Sequence, residues 1–342
     1  MSAFFPCLLA DIGGTRARFA LTEMSSADPA ASPTCGPIWE MPAADAESFT
    51  TLVAGALACC PVRPRRAVLA VAGTIQNATL TMVNRNWRVE QEDARRSLGL
   101  ERLTLINDFA AVAAALPHLT ADELAPPPPD AGKIAASPSP PAPAPAIDAP
   151  GPRIALGPGT GLGVAAWLPA PPGGMIVPSE GGHATLAAVD AEESAILRWL
   201  QHIHGHVSAE RVLSGPGLVA LYQAVAARRA VAAEAAGTDL TPAACVALAA
   251  DGDPIACESV HLFSGFLGNF AGNMALTFAA TGGIFLTGGV LEHLEPLFDW
   301  PHFLRRLVEK GRMTRWQHTI PVWRIRHPYP AFRGLAALAA TD

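Results

Sequence analysis

Two segments of this chain repeat one another. LLADIGGTRARFAL (8–21) and RIALGPGTGLGVAAW (153–167) each read as an apolar run, a Gly-rich turn carrying a threonine, and a second apolar run. Glycines in such a turn let the backbone approach an anion and aim its N–H groups inward. One such hairpin is weak evidence, because any tight turn favours glycine. Two, each opening a comparable stretch of chain, predict two halves of like construction with a nucleotide phosphate clamped between them.

The surrounding patterns predict a mixed sheet with helices packed on it. A third strand is expected near 38–41, a helix over 48–60, a β-rich run at 67–72, a short strand at 78–83 and a helix near 91–98. LTLINDFAAVAAAL (103–116) then runs four residues of strand pattern into Asn107-Asp108 and an Ala-rich helical pattern. An Asp at that junction stands at the end of a strand, where open α/β sheets place their ligands. Asp108 is therefore a candidate general base. The competing reading makes it only the N-cap of its helix.

Composition excludes several classes. The 342 residues carry a net charge of −6 and no dense Lys/Arg cluster, so a nucleic-acid-binding surface is not expected. The six cysteines are scattered without C-x-x-C or a Cys/His quartet, and MSAFFPCLL lacks a basic start and a cleavage site. Reduced thiols and a cytoplasmic location are expected. From Ser259 to Leu291 there is no Asp, Glu, Lys or Arg, a length that admits a membrane span. Asn269, Asn273 and the break at Gly282-Gly283 favour a buried helix followed by a buried strand and turn. Between Pro126 and Pro152 eleven of 27 residues are proline, which excludes helix interior and central strand. A solvated surface insertion is expected there.

The motifs, taken in order, resemble those of bacterial glucokinases in the hexokinase/actin/Hsp70 superfamily. ADIGGTRARFAL (10–21) resembles the first phosphate loop, INDFAAVAAAL (106–116) the catalytic Asp segment and ALGPGTGLGVA (155–165) the second phosphate loop. SEGGHATLA (179–187) and GHVSAERVLSGPGLVALY (205–222) resemble the sugar-binding segments, and GGIFLTGGV (282–290) the adenosine loop. The resemblance implies that Asp108 takes the proton of the sugar 6-hydroxyl and that Asn107, Glu180, His183 and Glu210 bind the sugar. It implies that Asp11 positions Mg2+ through water. Gly13, Gly14, Thr15, Gly159, Thr160 and Gly161 would bind the phosphates, and Gly288 and Gly289 would admit the adenosine. Taken without the resemblance, Glu180 reads as a turn carboxylate, His183 as a core histidine and Glu210 as a first-turn helix charge. Three features depart from the family pattern: Arg16 where Asn is frequent, Ala-Thr-Leu after His183, and the ending RHPYPAFRGLAAL (326–338).

The expected fold class is α/β, with two ribonuclease-H-like (actin/hexokinase-type) domains and a ligand cleft between them. Residues 1–116 plus 330–342 would form the small domain, and 117–329 the large one, containing the Pro-rich insertion at 126–152. The expected function is ATP-dependent phosphorylation of D-glucose, with ATP and Mg2+ as cofactors, no nucleic-acid or membrane partner, and a homodimer as the assembly. The alternatives are a kinase for another hexose and a catalytically silent sugar-binding sensor.

Overall fold

The computed structural model describes residues 6–23, 34–82, 85–128, 149–171, 173–229 and 240–341. Most of the Pro-rich segment, 129–148, lies outside them. The chain divides into two compact units: Met1–Glu123 with Ile176–Pro178 and His327–Asp342, and Leu124–Met175 with Ser179–Arg326. Among the described residues there are three sheets and eleven α-helices, a mixed α/β fold.

In the first unit, β1 (Cys7–Ile12), β2 (Arg16–Leu21), β3 (Trp39–Pro42), α1 (Phe49–Ala58) and β4 (Arg66–Val71) come first. β5 (Thr74–Gln76), β6 (Thr79–Met82), β7 (Trp87–Glu90), α2 (Gln91–Ser97), β8 (Arg102–Asn107) and α3 (Asp108–Ala115) follow. The main sheet has the order β3-β2-β1-β4-β8, and β5-β6-β7 form a small meander. β1 is antiparallel to β2 and parallel to β4. It is nearly all buried, and its first four residues, CLLA, read as a continuous apolar run. Leu8, Phe19, Phe49, Leu69, Val71 and Leu105 form part of the core beneath it.

The second unit holds β9 (Leu124–Ala125), β10 (Arg153–Pro158), β11 (Leu162–Leu168), the ends of β12 (Met175–Ser179), whose residues 176–178 are counted with the first unit, α4 (Ala191–His204), α5 (Gly215–Arg228), α6 (Pro242–Ala250) and α7 (Pro254–Phe278). β13 (Gly283–Leu286), α8 (Gly289–Leu294), α9 (Trp300–Val308), α10 (Thr314–Gln317) and β14 (Val322–Ile325) complete it. Its sheet runs β12-β11-β10-β13-β14-β9. The first five positions repeat the order of the first unit: an antiparallel hairpin flanked by one strand on its outer side and two parallel strands on its inner side. The last helix, α11 (Pro330–Thr341), packs with α3 in the first unit. Ala110, Ala111 and Ala113–Ala115 of α3 are buried, so its alanines serve close helix packing.

The charge-free run from Ser259 resolves into the body of α7 and into β13. No helix among the described residues is long and apolar enough to cross a membrane. The glycines of α7 have a packing cause. A Cβ at Gly268 would strike the Phe303 carbonyl of α9, and one at Gly272 would strike the Leu307 carbonyl. Glycine there lets the two helices lie close together.

Candidate active site

In the first unit the parallel strands β1, β4 and β8 end in register, with Ile12 beside Val71 and Val71 beside Asn107. Ligands bind at such carboxyl edges in open α/β sheets. The edge carries Asp11, the turn 13–15, and Asn107-Asp108. The Gly13 N–H donates to the Arg16 carbonyl at 3.0 Å and closes the turn, while the Thr15 carbonyl accepts from Ala43 and Ala44. Asp11 keeps 29% of its side chain exposed, with Arg18 Nη1 3.9 Å away. Burial pushes its carboxyl above the ordinary range, and Arg18 draws it partly back. Arg16 is exposed and lies 3.9 Å from Glu40.

The capping role at 107–108 falls to Asn107, not to Asp108. Asn107 Oδ1 accepts from the N–H groups of Phe109 (3.0 Å) and Ala110 (3.2 Å). Its Nδ2 donates to the Gly73 carbonyl at 3.3 Å, which leaves one amide hydrogen for other partners. Asp108 is the first residue of α3, and its Oδ1 accepts from the Phe109 N–H at 2.8 Å. A carboxylate is favoured in that first turn by the helix's own N–H groups.

In the second unit three of the expected sugar ligands meet. Glu180 immediately precedes a single 3-10 turn, Gly181–His183. That turn brings His183 Nε2 to 3.8 Å from Glu180, and His183 Nδ1 lies 3.8 Å from Glu210. All three side chains keep solvent access: 59% for Glu180, 61% for His183 and 33% for Glu210. Backbone bonds hold the two segments side by side. Glu210 N–H donates to Gly182 (2.9 Å), Ala209 to Ala184 (2.9 Å), and Leu186 to Val207 (3.0 Å). Two carboxylates that accept, with an imidazole that does both, can bind neighbouring hydroxyls.

The cluster is tied to the second hairpin. Glu210 Oε2 accepts from the Leu162 N–H at 2.9 Å. Ser214, the N-cap of α5, donates to the Glu210 carbonyl at 2.8 Å, and Gly215 N–H donates to the Gly159 carbonyl at 2.9 Å. The turn itself is closed by Gly159 N–H to Gly161 at 2.7 Å, and leaves Thr160 exposed. Gly288 lies against the same hairpin: Thr287 N–H donates to Leu156 at 2.9 Å. Its φ of +106° and the nearby Pro158 carbonyl both require glycine. At Gly159 and Gly289, by contrast, nothing lies within 4 Å of where a Cβ would stand. Beyond Gly288 a cavity of about 170 Å³ is lined by Leu291, Glu295, Trp300, Arg324 and Ile325 among others. None of these lining side chains, nor the backbone groups of Leu162 and Gly73, was legible as part of a site. Backbone donors carry no sequence signature, and Arg324 sits within an ordinary strand pattern.

A solved glucokinase from an Antarctic psychrotroph has the same fold, with a TM-score of 0.81 and 31% identity, covering 99% of this chain and 100% of that one. The fold and its two hairpins are thus those of a sugar kinase. The family model described as Glucokinase matches residues 8–342, and the chain belongs to the glucokinase family. A glucokinase of Paramagnetospirillum magneticum is 38% identical over 97% of this chain and 96% of its own length. The bifunctional protein glk of Paraburkholderia xenovorans is 38% identical over 98% of this chain and 49% of its own length. The chain spans about half the length of such bifunctional relatives.

Proposed function

We propose that this chain transfers the γ-phosphoryl group of ATP to the 6-hydroxyl of D-glucose, with sugar and ATP held between two ribonuclease-H-like domains. The observation that carries the reading is the junction at Glu210: its carboxylate contacts His183 on one side and the Gly-rich hairpin on the other. A hexose-binding cluster bonded to a phosphate-binding turn suits a reaction that must hold an acceptor hydroxyl near a phosphoryl donor. Phosphoryl transfer needs such positioning, charge neutralisation and a base for the acceptor.

In this reading Glu180, His183, Glu210 and the free amide hydrogen of Asn107 bind the sugar hydroxyls. Asp108 Oδ2 receives the 6-hydroxyl proton as that oxygen attacks phosphorus. A site that hydrogen-bonds each hydroxyl rejects sugars lacking one, because buried polar groups are left unpaired. The turns 13–15 and 159–161 bind phosphates through backbone N–H and Thr hydroxyls. Gly288 and Gly289 face the adenosine, and the open space beside Gly159 and Gly289 suits close approach by a ligand. Asp11 suits Mg2+: it is an oxygen donor at a strand end, partly exposed, and costly to leave charged without a cation. Bound there, the ion would neutralise charge on the phosphates. Closure around the sugar excludes water and suppresses ATP hydrolysis.

A kinase for another hexose would need the same parts, whereas a silent sensor needs neither Asp108 nor two phosphate turns. A coupled assay with ATP across a panel of hexoses separates the three. Preferential turnover of glucose supports the proposal, turnover of a different hexose replaces it, and sugar binding with no turnover identifies a sensor.

A further inference from the structure

The segment that ends the candidate sugar site is anchored from behind by a buried polar network. Ala187 closes the stretch 179–187, four residues beyond His183. Its carbonyl accepts from Asn269 Nδ2 at 3.2 Å. Asn269 lies on α7 and is 5% exposed. Behind it, Lys310 Nζ donates to Asn269 Oδ1 and, at 3.0 Å, to the Asn269 carbonyl. These neighbours fix which way the amide points. An ammonium only donates, so the amide oxygen faces Lys310, and a carbonyl only accepts, so the amide nitrogen faces Ala187.

Two residues further on the anchoring continues. Val189 N–H donates to Glu193 Oε2 at 2.9 Å, and Arg306 of α9 stands 2.8 Å from Glu193 Oε1, an ion pair outside ideal hydrogen-bond angles. Glu193 and Arg306 are both buried. Room for Lys310 exists because Gly272 has no side chain, since a Cβ there would strike the lysine stem. Burial and the neighbouring Arg306 push Lys310 down to about 8, against Glu309 and Glu193. Burying charged groups is costly and commonly destabilising. Here the buried charges hold the Ala187 carbonyl, through Asn269, and the Val189 N–H. The other flank of the same stretch is held by the 206–210 segment, so 184–187 is fixed from both sides.

We propose that Asn269 and Lys310 are positioning residues for hexose binding: through the Ala187 carbonyl they hold the segment that presents Glu180 and His183. The proposal rests on the sugar-site reading above. Neither residue touches the sugar. Lys310 fixes the amide, the amide fixes the loop, and the loop fixes the imidazole.

The test is a steady-state comparison of Asn269→Asp, Lys310→Met and Glu210→Gln, with melting temperatures measured alongside. Asn269→Asp keeps the size and the Lys310 contact but sets a carboxylate oxygen against the Ala187 carbonyl. The loss of one buried hydrogen bond corresponds to a rise of about tenfold in the glucose KM, with kcat and the ATP KM little changed. Lys310→Met keeps the stem, leaves the amide unfixed and raises the glucose KM by about threefold. It carries the test alone if Asn269→Asp does not fold. An unchanged glucose KM in the folded variants overturns the proposal, and so does an equal rise in the KM of both substrates, which marks general loosening. Glu210→Gln tells the two levels apart: if it raises the glucose KM while the positioning variants do not, the sugar site stands and the positioning role falls. If it too leaves glucose untouched, both fall.

Discussion

Glu210 and Leu162 are joined by a 2.9 Å hydrogen bond from the Leu162 N–H to the Glu210 carboxylate. The bond fastens the 205–222 segment to the start of β11, next to the Gly-rich turn. The other oxygen, Oε1, is left facing His183 at 3.8 Å. One carboxylate thus divides its two oxygens between fixing a loop and facing His183.

Glu210→Gln exploits that division. The amide oxygen can still accept from Leu162, while the amide nitrogen, a donor, is turned toward His183. Charge-assisted hydrogen bonds contribute about 1.5–3 kcal/mol, so glucose affinity is expected to fall by roughly one to two decades. ATP affinity measured without sugar should stay nearly constant. Separate calorimetric titrations check this, and weakened nucleotide binding with intact glucose binding would assign Glu210 to the nucleotide instead.

Gly161 should be coupled to the same carboxylate. A Cβ at Gly161 would collide with Glu210 Oε2. Gly161→Ala is expected to weaken glucose binding in the wild-type background and to add little in Glu210→Ala, because contacting residues are not additive. A double-mutant cycle on glucose affinity measures the coupling, and simple additivity would mean that the alanine acts elsewhere.

Asn107 caps α3 with its side-chain oxygen. Asn107→Ala is expected to cost about 0.5–2 kcal/mol of stability, and Asn107→Ser, which can still cap, clearly less. Urea unfolding of the three proteins decides the point. Equal loss in both variants would show that the bond to Gly73, not the cap, is what Asn107 contributes.

His302 sets an acid limit on the second unit. Burial, with His261 and Arg305 close by, pushes it down to about 4. Its unfolded value is near 6.5, so between pH 6.5 and 4 the unfolded chain binds a proton that the folded one does not. The stability it contributes is complete above 6.5 and is lost as pH falls through that window, by about 3 kcal/mol in all. His302→Gln should therefore show a shallower fall in melting temperature from pH 6.5 to 4 than the wild type. Parallel profiles would place the acid limit on another group.

The parts of this fold that were legible are those whose signal is local. Both hairpins announce themselves by apolar runs around Gly-rich turns. The strand at 78–83 is observed at Thr79–Met82 and the helix at 48–60 at Phe49–Ala58. What stayed hidden depends on distant partners. β9 is only two residues long and exists because β14 pairs with it across about two hundred positions. Asn107 and Asp108 are both good caps by composition, and only backbone direction decides between them. Glu180, His183 and Glu210 could be named as candidates, but their approach within 4 Å rests on backbone bonds between 182–186 and 207–210 that no pattern encodes. Lys310 gave no signal and Asn269 only a polar interruption of an apolar run, since their contacts arise from glycines that let α7 and α9 approach.

In the proposed reaction Asp108 accepts the proton of the attacking hydroxyl. Asp108→Asn keeps the shape and removes the acceptor, so the decisive measurement is its turnover with ATP and glucose, paired with glucose affinity by calorimetry. A loss in turnover of at least roughly 10² is expected, with glucose binding largely retained. Near-normal turnover in Asp108→Asn would contradict it and move the base elsewhere.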